Sequence, residues 1–152
     1  VYTALTPPYR TANMPITRTS ELLALAELDL ATYRKLEPYV TALPLDARLN
    51  VCTALPEVLD AYRLGEVEFT PARDNVAETR QEQGCYPDKQ TYLSVITDAQ
   101  LRQELESLLV EQSAYFRATI WVTIGTVQFT QYSLLYRTPA GARAILRSFG
   151  TS

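Results

Sequence analysis

The chain has 152 residues, 47% of them hydrophobic and 20% charged, with a formal net charge of −3. That balance is ordinary for a globular protein, provides enough chain for one sizeable core or two small ones in contact, and argues against a surface built for phosphate. Histidine is absent, which removes Ser-His-Asp and Cys-His nucleophile systems and every His-containing zinc site, and two cysteines cannot complete a Cys-only zinc site.

Residues 1–16 are rich in Pro and Thr without a clean period and read as an extended entry segment. Thr19 or Ser20 is placed to cap a helix running through Glu21, Leu22, Leu25 and Leu28. Asp29 is placed to cap the next, with Leu30, Tyr33 and Leu36 on one side until Pro38 stops it. Pro44 punctuates the chain before the stretch from Leu49 to Leu59, which reads as a helix start rather than a catalytic loop. There Thr53 is the expected cap for unpaired amides, Pro56 fits a first turn that needs no donor, and Glu57 faces the positive end of the helix dipole. Val58, Leu59 and Tyr62 keep helical spacing, and Gly65 offers a stop. Residues 66–90 are the least periodic section, with Glu66, Glu68, Asp74, Glu78 and Glu82 spread through it, and read as a long loop or frayed helix.

Helical spacing returns after Asp98, where Leu101, Leu105, Leu108 and Leu109 form an apolar stripe suited to packing on a core. From Tyr115 the period changes to two. Phe116, Ala118, Ile120, Val122 and Ile124 alternate with Arg117, Thr119, Trp121 and Thr123, the pattern of a half-buried strand. Gly125-Thr126 marks a turn into a second strand from Val127 to Arg137, and Pro139-Ala140-Gly141 a turn into a third from Ala142 to Phe149. The expected class is α+β, with helices in roughly the first 110 residues and an antiparallel meander after Tyr115.

No constellation reads as an active site. Glu104 and Glu111 fall about two helical turns apart, Glu104 and Glu106 project differently, and Asp88 and Asp98 match no recognised ligand spacing. There is no phosphate-binding glycine loop, dinucleotide fingerprint or EF-hand loop. Arg143 and Arg147 form a small basic face that reads as a solvated strand edge. The short helices suggest a helix-hairpin-helix, but the DNA-binding version needs a glycine hairpin, and the chain has no Gly between residues 1 and 64. Cys52 and Cys85 leave three readings open: two buried thiols, a disulfide, or one reactive cysteine with no histidine to activate it.

Several ordered motifs carry a resemblance. Tyr9-Arg10-Thr11-Ala12-Asn13-Met14-Pro15, Ser20-Glu21-Leu22, Leu36-Glu37-Pro38-Tyr39-Val40-Thr41-Ala42-Leu43-Pro44, Asn50-Val51-Cys52-Thr53-Ala54-Leu55-Pro56-Glu57-Val58-Leu59, Ser113-Ala114-Tyr115-Phe116 and Tyr132-Ser133 follow one another. In content and order they resemble the minor pseudopilin K family of type II secretion systems. Two positions depart from the family pattern: Cys52 stands where it has a second Asn, and Leu55 where it has a Pro.

The resemblance implies an extended entry segment over 1–16, a helical, helix-hairpin-helix-like insertion subdomain with its connecting segment over 17–110, and C-terminal strands of a pilin-like domain over 111–152. It implies a structural, non-enzymatic protein at the tip of the secretion pseudopilus, with minor pseudopilins I and J as partners. A periplasmic helical module that binds an exported protein is the alternative. A periplasmic setting implies a Cys52–Cys85 disulfide. Calcium is allowed by resemblance, without a matching acidic motif to supply ligands, and no other cofactor is required. No apolar run approaches the roughly 20 residues that span a bilayer. Val1 is therefore not expected to be the natural start, and a membrane helix is expected to precede this portion in an inner-membrane protein of a Gram-negative cell.

Overall fold

A computed structural model describes residues 2–4, 8, 10, 13–62 and 76–149. The chain divides into two compact units, Val1–Asp46 and Ala47–Ser152. The bounds differ from the three segments expected at 1–16, 17–110 and 111–152; across the boundary expected at 110, the Asn50 side chain donates to the Ser113 hydroxyl at 2.9 Å.

In the first unit, Tyr2–Ala4 form a 3-10 turn inside the segment expected to be extended. Thr19–Ala24 form a 3-10 helix rather than the longer α-helix expected through Leu28. Its start is held from within. The Glu21 carboxylate accepts from the Thr17 and Arg18 amides at 2.7 and 2.9 Å and from the Thr17 hydroxyl at 2.9 Å. These donors hold the Glu21 carboxyl below its ordinary pKa. Leu25 is already extended and Glu27 has φ 75°, so the chain turns before Leu28. Helix α1 spans Leu30–Leu36, and Asp29 caps it as expected, accepting from the Thr32 amide at 2.7 Å. A 3-10 turn over Glu37–Tyr39, carrying Pro38, ends it. Tyr33 is buried, and its hydroxyl lies 3.1 Å from the Thr19 hydroxyl and 3.4 Å from Glu37 Oε1.

The second unit begins with the two-residue strand β1, Leu49–Asn50. Helix α2, Pro56–Tyr62, follows with Pro56 as its first residue. Residues 63–75, with the predicted stop at Gly65 and with Glu66, Glu68 and Asp74, lie outside the described residues. Within the span expected to be a loop or frayed helix, 66–90, the described part holds helix α3 at Val76–Gln83, and α4 at Lys89–Ser94 begins at its end. The sequence of α3, VAETRQEQ, has no apolar stripe, and its buried contact is the single residue Val76, so periodicity gives no signal there. Gly84, with φ 82°, ends α3 in the left-handed region that glycine adopts without a steric penalty. Asp88 caps α4 through the Thr91 amide at 2.7 Å, and Asp98 caps α5, Ala99–Leu108, through the Leu101 amide at 2.9 Å. Strand β2, Leu109–Val110, then pairs with β1 in parallel, Leu49 opposite Leu109 and Asn50 opposite Val110. No sequence pattern pointed to this parallel pair.

Val51, Cys52, Leu59, Val76, Tyr92, Ile96, Leu105 and Leu109 make one buried cluster among these elements. Tyr92 is fully buried and donates its hydroxyl to the Leu59 carbonyl at 2.6 Å, so the largest side chain of the cluster also satisfies a backbone acceptor of α2.

Three long strands complete the unit: β3, Tyr115–Ile124; β4, Val127–Thr138; and β5, Gly141–Phe149, all antiparallel in the order β3-β4-β5. Their bounds lie within a residue of the expected ones. Ile120 faces Gln131, and Ile124 faces Val127 at the turn, while a register shift between Leu134 and Leu135 accommodates Ile145 on β5. Burial does not follow the alternation. Ile120, expected in the core, is 44% exposed and Ile124 66%, because the sequence sets which side chains share a face but not what covers that face.

Candidate interaction surface and the clasp behind it

Asn50 organises the entry to α2. Its side-chain oxygen accepts from the Cys52 amide at 3.0 Å and its side-chain amide donates to the Ser113 hydroxyl at 2.9 Å. Its carbonyl accepts from the Thr53 and Ala54 amides, at 3.3 and 2.9 Å. A short polar side chain thus closes a turn locally and reaches a residue 63 positions on. Cys52, at the bend, is bonded to Cys85 with the Cα atoms 4.4 Å apart. Arg80 on α3 completes the clasp: its guanidinium donates to the Tyr86 carbonyl at 2.6 Å and to the Val51 carbonyl at 3.0 Å. Partial burial lowers the Arg80 pKa below its ordinary value, while the two carbonyls accept from two of its five N–H donors.

Of the residues expected at the helix start, Pro56 and Glu57 sit in the first turn of α2. Thr53 does not hold the capping position. The carbonyl that begins the helix belongs to Leu55, which accepts from the Val58 and Leu59 amides at 3.0 and 3.1 Å, and Thr53 is exposed in the preceding turn. A proline two residues beyond Ala54 shifts the first helical residue to Pro56 and leaves Thr53 too far back. Asn50, Arg80 and Tyr92 were not singled out from sequence. Asn50 lies in the family-like motif from Asn50 to Leu59, but Arg80 and Tyr92 act through long-range contacts that leave no local pattern. Among the described residues no group of three or more His, Cys, Asp or Glu side chains is placed to hold a metal ion. No described helix is long and apolar enough to cross a membrane.

The three-stranded sheet presents an extensive exposed surface among the described residues. Cross-strand partners share a face, so its two faces can be read from the register. One carries Phe116, Ile120, Val122 and Ile124 of β3 with Val127 and Phe129 of β4, all at least 43% exposed. The other carries Tyr115, Arg117 and Trp121 of β3, Tyr132 and Tyr136 of β4, and Arg143 of β5. There the Arg117 guanidinium lies 5.3 Å from the Tyr132 ring centre, and Arg143 lies 5.9 Å from that of Tyr136, which is tilted against Tyr115 at 5.0 Å. The first face is a surface for burial against another apolar element. The second combines aromatic rings with fixed cations.

The family described as "Type II secretion system (T2SS), protein K" matches residues 1–45, close to the span of the first unit. Over nearly the whole chain, this sequence is 30% identical to type II secretion system protein K of Pectobacterium carotovorum, covering 99% of the chain and 47% of that relative. It is 34% identical to the protein of the same name from Pseudomonas aeruginosa, covering 95% of the chain and 42% of the relative. The chain spans about half the length of the curated relatives it matches. In structure it is similar to a chain of the GspK-GspI-GspJ complex from the enterotoxigenic Escherichia coli type 2 secretion system. The TM-score is 0.76 at 25% identity, covering 99% of this chain and 54% of that one.

Proposed function

This chain belongs to the type II secretion system protein K family, and on that premise we propose that it is part of a minor pseudopilin at the tip of the secretion pseudopilus. The role is structural rather than enzymatic: protein K caps the assembly and takes part in protein export across the outer membrane. Its partners are minor pseudopilins I and J, in keeping with the complex to which this fold is similar. It occupies the periplasm as part of a Gram-negative inner-membrane protein, held to the membrane by a helix outside the span of this chain.

The observation that carries the reading is the uncovered apolar face of the β3-β4-β5 sheet. Phe116, Ile120, Val122, Ile124, Val127 and Phe129 form a contiguous patch that a soluble monomer rarely leaves bare. In a pilin-like domain such a face packs on the long N-terminal helix, which joins the subunit to its neighbours. The helical part of the chain then projects from the tip as bulk that blocks the addition of another subunit above it. No cofactor is needed for work done by shape, and calcium has no assigned ligand among the described residues.

The test is direct. The purified chain is mixed with the soluble domains of minor pseudopilins I and J, and the mass of the product is measured by light scattering. A stoichiometric hetero-complex supports the reading. Separate monomers at micromolar concentration count against tip capping by this portion.

A further inference from the structure

The charges of this chain are segregated. All 17 carboxylate side chains lie at or before Glu111, and residues 112–152 contain none, while carrying Arg117, Arg137, Arg143 and Arg147. No carboxylate within the sheet can therefore neutralise these arginines. The four are also divided between its faces. Arg137 and Arg147 share the apolar face, Arg137 lying 5.5 Å from the Phe116 ring centre and donating to the Gln112 side chain at 3.4 Å. Arg117 and Arg143 share the aromatic face, each beside a tyrosine ring.

We infer that the aromatic face of the sheet, built on Arg117, Arg143, Tyr132, Tyr136 and Trp121, docks an extended acidic segment of a partner polypeptide. A guanidinium resting over a ring is held in place with little loss of its edge donors, which remain free for the bidentate bonds a carboxylate accepts. The two arginines stand two strands apart on neighbouring rows, which puts their Cα atoms roughly 12 Å apart. An extended chain rises about 3.3 Å per residue, so carboxylates four residues apart on one side of it span about 13 Å and match that spacing. Tyr136, level with Arg143, stands on the strand between the two charges, and Trp121, 64% exposed, stands four residues along β3 from Arg117 on the same face, with Tyr132 in the row between them. The cationic sheet also draws an acidic segment from solution, whereas the acidic remainder of the chain repels it. This inference does not depend on assembly at the pseudopilus tip.

Trp121 is the only tryptophan of the chain and stands on the face in question, so its fluorescence reports occupancy. The probe is a nine-residue peptide with two glutamates four positions apart among valines and threonines. Its counterparts carry glutamine at both positions, or place the glutamates side by side. The expected result is a saturable change in Trp121 emission with the spaced-glutamate peptide alone, weakened when salt rises from about 50 to about 500 mM. Arg117→Gln and Arg143→Gln each weaken binding, and together by at least about tenfold, whereas Arg147→Gln on the opposite face leaves it unchanged. The single variants carry the test if far-UV circular dichroism shows the double variant to be misfolded. No response to any peptide overturns the inference, as does equal loss with Arg147→Gln, which would mean diffuse attraction to a basic sheet. Indifference to glutamate spacing overturns it too. Two further outcomes would assign the face elsewhere and overturn it. One is binding only to phosphatidylglycerol vesicles. The other is concentration-dependent self-association abolished by the same arginine variants. The titration uses this chain alone, so its failure is distinct from failure to assemble with pseudopilins I and J.

Discussion

Replacing both Cys52 and Cys85 by alanine should cost this chain much of its stability while leaving the fold recognisable. The bond closes a separation of 33 residues. In the chain-entropy model a loop of that length restricts the unfolded state by about 3.7 kcal/mol at room temperature, before any strain is subtracted. Domains of this size are stable by about 5–15 kcal/mol, so the loss is large but need not unfold the chain. The native clasp has other members that persist, namely the Asn50 turn, the Arg80 bonds to Val51 and Tyr86, and the β1–β2 pair. Urea unfolding of the oxidised chain and the double variant, followed by far-UV circular dichroism and by Trp121 fluorescence, measures the difference. Coincident transitions of the two probes justify treating it as one free energy. The expected shift is about 3–4 kcal/mol, with a larger m-value as the unfolded ensemble expands without its cross-link. A shift below about 1 kcal/mol with an unchanged m-value would refute the loop-entropy argument. Loss of the native near-ultraviolet signal in water would show that the bond holds the folded state rather than restricting the unfolded one.

Tyr92→Phe removes the hydroxyl bonded to the Leu59 carbonyl in a fully buried site and should destabilise by about 1–3 kcal/mol, read from the same urea curves. A neutral result would mean that the carbonyl finds another donor. The Asp29 and Asp88 carboxyls are held below the ordinary value of 3.8, chiefly by the Thr32 and Thr91 amides. A depressed folded pKa gives stability that is complete above the unfolded pKa and is lost as pH falls through the folded one. The caps of α1 and α4 should therefore fail only in acid below about 4. Asp88→Asn should remove that part of the pH dependence in a proton-resolved titration of the Thr91 amide, and an unchanged acid limb would reject the cap as its source. Ile120→Asp, on the exposed apolar face, should leave the stability of this chain within about 1 kcal/mol. The same change should weaken the hetero-complex with pseudopilins I and J if that face is covered in the assembly. A large loss of stability in the isolated chain would show that the face is already packed.

Local chemistry alone announced much of this molecule. Asp29 and Asp98 stand before apolar runs and cap the helices expected there, because a capping bond spans only three residues and is written in adjacent sequence. The alternation from Tyr115 onward and the turns at Gly125 and Gly141 located all three long strands, since a strand needs only its period and its punctuation. The family resemblance, carried by motif order, agrees with the relatives found across the chain.

Tertiary structure decided the rest. Helix α3 has no apolar stripe to announce it and is recruited through Val76 and through Arg80, whose guanidinium reaches the Val51 carbonyl 29 residues away. The parallel β1–β2 pair joins two-residue strands 60 positions apart in register, too short to carry a period of their own. Thr53 loses the capping role because Pro56 and the Asn50 turn together fix where α2 begins. Period determines which side chains of β3 stand together, and here it placed Ile120 with Val122 and Ile124. Whether that face is buried depends on a second surface being present to cover it, and no pattern within the strand itself records that surface.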